Sequence, residues 1–149
     1  MQQTTFAALA AFALVSSITP GPNNMMLMAS GANFGLRRTV PHALGVGFGF
    51  TLMIVLVGVG LMGLFDLFPV LNLILKIISV AYLLWLAWKI ANAGAPSGGD
   101  SPRGRPMSFG QAMLFQWVNP KAWSMALTAI ALYAPDRNFG AVLLVAVIF

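Results

Sequence analysis

SITPGPNNMML, Ser17–Leu27, is the stretch that decides how this chain folds. It lies inside a run apolar enough to cross a membrane, yet it holds two prolines, a glycine and two asparagines. In lipid every backbone donor and acceptor needs a partner within the protein. Pro20 cannot donate to the carbonyl of Ser16, nor Pro22 to that of Ile18. Gly21 between them permits backbone angles that most residues avoid. The freed carbonyls are costly against lipid and tolerable if they line a wet cavity or bind a solute. The half-helix beyond the break starts near Asn23 and Asn24, whose amides suit caps and ligand hydrogen bonds, with the positive end of the helix dipole beside them. Pro20, Gly21, Pro22, Asn23 and Asn24 are therefore candidate substrate-binding residues. A kink used only for packing is the plainer reading of one proline. Five such residues in succession weigh against it.

Composition supports a membrane setting. Of 149 residues 59% are hydrophobic and 7% charged, and mean hydropathy is +0.86. A soluble domain carries about 25% charged residues. The net charge of +5 comes from basic residues in short connections, which fits the positive-inside bias rather than nucleic-acid binding. With no cysteine, disulfides and thiolate chemistry are excluded. Residues 1–5, MQQTT, lack the basic start of a cleaved signal peptide.

Five apolar segments follow one another, at about 5–31, 42–65, 70–91, 109–134 and 139–149, within a single transmembrane domain. A Gly-, Pro- and Ser-rich linker occupies 92–107. A helix needs ~20 residues to span the hydrocarbon, so four segments span and the fifth is short. Arg37, Arg38, Lys89, Arg103 and Arg105 flank the first and third connections, against Arg137 alone on the other side. This division puts the linker in the cytoplasm and the N-terminus outside.

The fourth segment is also interrupted, at Asn119, Pro120 and Lys121 in FQWVNPKAWSM. Asn119 suits an N-cap and Pro120 the first helical position. The first segment enters from outside and the fourth from inside. Two broken helices of opposite direction are the mark of an inverted repeat around a central substrate site. The expected fold is all-α: three plus three transmembrane helices, first and fourth broken, of which about four and a half are present.

On the second segment Gly45, Gly49, Gly60 and Gly63 fall within about 60° of one another and should form a packing stripe. Gly47 and Gly58 mark the opposite face. His42 reads as an interfacial histidine rather than a proton carrier. On the third segment Lys76 shares a face with Asn72 and Ser79, which favours an interior position and a role toward a substrate carboxylate. Lys121 can either bind an anionic substrate or anchor the cytoplasmic side. Carboxylate pairs, metal-ligand spacings and phosphate-cradling motifs are missing, so no enzyme, metal or cofactor is expected.

These residues resemble the LysE/RhtB family of amino-acid exporters. The matching pieces are TPGPNN at 19–24, the RR connection with its glycine-rich helix, LK at 75–76 leading to AYLLWLAWKI at 81–90, and NPKAW at 119–123. AYLLWLAWKI and TPGPNN look like the branch exporting cysteine and O-acetylserine. The resemblance implies six helices in the bacterial inner membrane and efflux of an amino acid or close derivative, coupled to protons. Ser79 stands where family members often have glycine, and with no intramembrane acid in view the proton carrier is unassigned. The expected partners are an amino acid, protons and lipid; nucleic acid is not among them, and a homo-oligomer stays open. The rival reading is a non-transporting scaffold whose glycine stripes serve other subunits. The last segment, FGAVLLVAVIF, would reach about 16 Å, half the ~30 Å core. A second repeat as long as the first would need about 50 further residues.

Overall fold

In the computed structural model the described residues are 3–61, 63, 67–91 and 105–149, and all their regular structure is helical. Helix α1 is Gln3–Ile18 and α2 Pro22–Phe34. Helix α3, Leu36–Leu56, runs into a π-helical turn at Val57–Leu61. Helix α4 is Val70–Ala91 and α5 Phe109–Phe115, followed by a 3-10 turn at Gln116–Val118. Helices α6, Pro120–Tyr133, and α7, Phe139–Ile148, complete the order.

Both interruptions fall where the prolines lie. Helices α1 and α2 meet at a 56° bend, and together they are long and apolar enough to cross a membrane. So is the single helix Leu36–Gly60. In the second interruption Asn119 N-caps α6 by accepting from Lys121 N at 3.1 Å, with Pro120 in the first turn. The expected linker is outside the described residues from 92 to 104, and so is Asp66.

The polar connection expected after the first segment is mostly helix. Only Gly35 separates α2 from α3, so Arg37, Arg38 and Pro41 belong to α3. Gly35 makes this possible with φ 79°, a left-handed value that glycine adopts freely. Its N–H bonds the Gly31 carbonyl, and Thr39 returns both its N–H and its hydroxyl to the Gly35 carbonyl. A hydroxyl pair, Ser30 to Thr39 at 2.9 Å, closes the corner.

Helix α3 is the hub against which α2, α5, α6 and α7 pack. Its glycines set the distance. A Cβ at Gly45 would lie 2.3 Å from the Phe109 carbonyl oxygen, and one at Gly49 would lie 2.7 Å from Met113 Cα. Helix α5 therefore lies directly on this stripe. The stripe does not continue as expected. Gly60 leaves helical angles (φ 179°, ψ −24°) and has nothing within 4 Å. A Cβ at Gly63 would meet only the Arg137 guanidinium, at 3.5 Å, an ordinary contact distance. The helix opens before those two positions, so the 100° projection no longer applies to them. Gly58, assigned to the other face, is the closely packed position instead: a Cβ there would lie 2.5 Å from Val142 Cγ1.

The core is formed by Leu9, Met53, Ile54, Val57, Ala126, Ala129, Ile130, Val142, Val145 and Ala146. Large apolar side chains also cover the outside, among them Ile18, Leu36, Phe48, Leu132 and Val147. So much exposed apolar surface suits lipid contact.

Candidate functional site

The two interruptions meet. The Asn23 amide, in the first turn of α2, pairs with the Gln116 amide of the 3-10 turn, 93 positions away. Asn23 Nδ2 donates to Gln116 Oε1 at 2.8 Å, and Gln116 Nε2 donates back to Asn23 Oδ1 at 3.2 Å. Gln116 Nε2 also reaches the Ala112 carbonyl at 2.9 Å, and the side chain is fully buried. From the other side, Lys121 Nζ in the first turn of α6 donates to the Thr19 carbonyl at the end of α1. Each second half-helix thus sends a side chain from its first turn to the first half of the other.

Three carbonyls at the break, that of Ile18 among them, share a side-chain partner. Asn24 Nδ2 lies 2.9 Å from Ser17 O, 3.2 Å from Ile18 O and 3.3 Å from Thr19 O. One amide thereby caps the end of α1 and ties it to α2. Gly21 has a different role from the one expected. Its angles, φ −164° and ψ 177°, are extended and open to any residue. What glycine supplies is room: a Cβ there would lie 2.6 Å from Lys121 Cδ. The lysine stem crosses the break where a side chain would otherwise stand.

Beside this crossing is a cavity of about 110 Å³, space for several waters. Ser16, Ser17, Asn23, Asn24, Gln116, Asn119 and Lys121 give it a polar side. Val46, Gly47, Phe50, Ala122, Met125 and Phe149 give it an apolar one. The only acidic side chain among the described residues, Asp136, is exposed in the turn before α7 and does not line it. Among the described residues, the side chains lining the cavity therefore present a cation, amides and hydroxyls and no carboxylate.

The profile of LysE type translocators matches residues 14–148, nearly the whole chain. The chain belongs to the LysE family. The cysteine/O-acetylserine efflux protein of Klebsiella pneumoniae is 32% identical over 133 residues, 89% of this chain and 67% of that protein. The protein of the same description from Escherichia coli K12 is 30% identical over the same shares, and that of Salmonella typhimurium 29%. No solved structure matches the chain. Membership makes it a bacterial inner-membrane transport protein rather than an enzyme.

Of the candidate residues of this LysE family member, Asn23, Asn24, Asn119 and Lys121 come together at the cavity. Pro22 and Pro120 start the half-helices beside it, and Pro20 and Gly21 form the link over which Lys121 lies. Lys76 does not join them. It is exposed on α4 and is absent from the cavity lining. The side chains of Asn72 and Ser79 lie outside the described residues. Sequence reasoning passed over Gln116, whose signal was an uncharged polar residue in an apolar segment, three positions before Asn119. His42, read as interfacial rather than as a proton carrier, is 2% exposed.

Proposed function

We propose that this protein exports a small amino acid or amino-acid derivative by proton antiport, holding the substrate carboxylate on Lys121 in the cavity between the two breaks. The observation that carries this reading is the Lys121 ammonium, which lines a cavity with no acidic side chain among its described lining residues and rests on a backbone carbonyl. A charge in a membrane segment that is held only by neutral dipoles favours an arriving anion. The amide and hydroxyl oxygens of Gln116, Asn23 and the serines suit the substrate ammonium. The names of the relatives direct attention to cysteine and O-acetylserine.

The reciprocal crossing supports an inverted repeat. Asn23 and Lys121 stand at the same place in their half-helices, each directly after a proline, and each reaches the opposite break. A two-fold axis in the membrane plane would interchange them. On this reading six helices, with the N-terminus outside, alternate access around the crossing. Lys76 would then contribute from another conformation or lie outside the site.

The test is transport of radiolabelled L-cysteine, kept reduced, into proteoliposomes holding the whole native protein. Exchange and pH-driven accumulation are expected. Lys121→Met should raise the half-saturating concentration about 10- to 150-fold, the equivalent of one charge-assisted bond of about 1.5–3 kcal/mol. A scaffold would move no label under any gradient.

A further inference from the structure

His42 is the histidine of the chain and lies in the second turn of α3, 2% exposed, with no hydrogen-bond partner for Nδ1 among the described residues. A buried imidazole nitrogen left unpaired costs stability, and structures rarely retain one without a use. Its placement suggests the use. Residues four apart share a face of a helix. His42, Val46 and Phe50 therefore form one row, and the latter two line the cavity. His42 is one turn, about 6 Å along the helix, from the substrate space.

On its other side the row continues into polar groups. Thr39 lies one turn before His42, is 5% exposed, and shares its hydroxyl with Ser30, which is 6% exposed. Both adjoin the α2–α3 corner at Gly35, where Arg37 and Arg38 are exposed. Along α3 the buried Thr39–Ser30 hydroxyl pair thus precedes the imidazole by one turn, on the side of the basic corner, and the cavity-lining Val46 follows it by one turn.

We infer that His42 is the group that takes up and releases the transported proton, exchanging it at Nδ1 between the cavity and the Thr39–Ser30 corner. The inference rests on the transport reading above and supplies its missing proton carrier. A proton arriving through the outward-open cavity binds the Nδ1 lone pair and makes imidazolium. That charge, one turn from the cavity, repels the ammonium of a bound amino acid and favours its release outside. After the protein reopens inward, the proton leaves Nδ1 past the Thr39 and Ser30 hydroxyls to the cytoplasm. The neutral ring then admits the next substrate. One proton enters for each amino acid that leaves.

The charged and titratable neighbours allow this. On elements packed against α3 they are Lys121 and Tyr133 of α6; α2, α5, the 3-10 turn and α7 have none. On α3 itself they are Arg37 and Arg38, a turn or more before His42. No described carboxylate on these elements would hold the imidazolium permanently. A histidine that cycles as a proton carrier changes state between about pH 5 and 8.

The test separates coupling from binding. Proteoliposomes with the whole native protein are assayed for L-cysteine exchange at equal pH and for accumulation under an imposed pH difference. For one-to-one coupling each pH unit supports about tenfold accumulation. His42→Gln should keep exchange within about twofold, accumulate nothing, and lose the pH dependence of exchange that a histidine confers. Accumulation by His42→Gln equal to the parent's would overturn the inference. Loss of exchange as well as accumulation would also overturn it, by making His42 a packing residue. His42→Asn must agree with the glutamine variant for the coupling role to stand. Failure of the parent protein to exchange cysteine, or any amino acid of a panel, would sink the transport reading itself before His42 is touched.

Discussion

Replacing Gly21 by alanine should change the sign of its effect according to what stands at position 121. The new Cβ would lie 2.6 Å from Lys121 Cδ, 3.2 Å from Nζ and 3.4 Å from Cε. Carbon atoms pack at about 3.5–4.0 Å, so the stem must move about 1 Å. A shift of that size takes Nζ off the Thr19 carbonyl, a charge-assisted bond worth about 1.5–3 kcal/mol. Against this stands a gain. The extended angles of Gly21 suit alanine, and restricting the unfolded chain stabilises by about 0.4–1 kcal/mol. In the parent protein Gly21→Ala should therefore cost a net of about 0.5–2.5 kcal/mol. In Lys121→Ala the clash is gone, and the same substitution should be stabilising by about 0.4–1 kcal/mol. Reversible unfolding of the four proteins of the cycle in detergent reads both quantities, and the coupling between contacting residues lies well above the additivity error. An equal loss in both backgrounds would refute the reasoning. It would mean that Gly21 is needed for its backbone and not for the space above it.

Four further outcomes follow from the same geometry. Gln116→Leu leaves the part-buried Asn23 amide without its partner and should cost about 1–3 kcal/mol; Asn23→Leu in that background should recover part of it, as unfolding midpoints will show. Gly45→Ala and Gly49→Ala drive a Cβ into the α5 backbone and should each cost about 1–3 kcal/mol, while Gly31→Ala, with open space around it, should be neutral or stabilising in the same melts. Replacing Pro20 and Pro22 together by alanine should straighten the 56° bend, leave insertion intact and abolish cysteine exchange; parent-level exchange would separate the bend from function. Orientation is read with an impermeant thiol reagent on intact cells: a cysteine at exposed Asp136 should react and one at exposed Leu36 should not, and the reverse pattern would turn the protein over.

Much of the fold was legible because its punctuation is local. The breaks at 19–21 and at 119 fall where proline stands beside glycine or asparagine, whereas Pro41, without them, is carried inside α3. Asn119 before Pro120 is a cap that depends only on neighbours in sequence. Gly45 and Gly49, four apart on an unbroken helix, had to share a face, and α5 lies there. Gly60 and Gly63 were misplaced because their phase was carried through a turn that is not α-helical. Gly35 was missed because one positive φ joins two helices where a polar run with two arginines and a proline suggested a loop.

The candidate site was legible in its ingredients but not in its pairings, and the reason is distance along the chain. Nothing near Asn24 in sequence says that its amide caps the carbonyls of the preceding helix rather than those of a ligand. Nothing near Gly21 names Lys121, 100 positions on, as the side chain that needs the space (121 − 21). Gln116 looked like an incidental polar residue until Asn23 was brought opposite it. The pairings also constrain one another. Lys121 can reach Thr19 only because Gly21 lacks a side chain, and α6 can present Lys121 there only because Asn119 turns the chain. A carboxylate that draws Lys121 away would leave the Thr19 carbonyl to Asn24 alone, weakening the tie from α6 to the end of α1 and leaving Asn23–Gln116 as the remaining link between the breaks. Substrate binding and loosening of the crossing would then be one event, which is what alternating access around a fixed site requires.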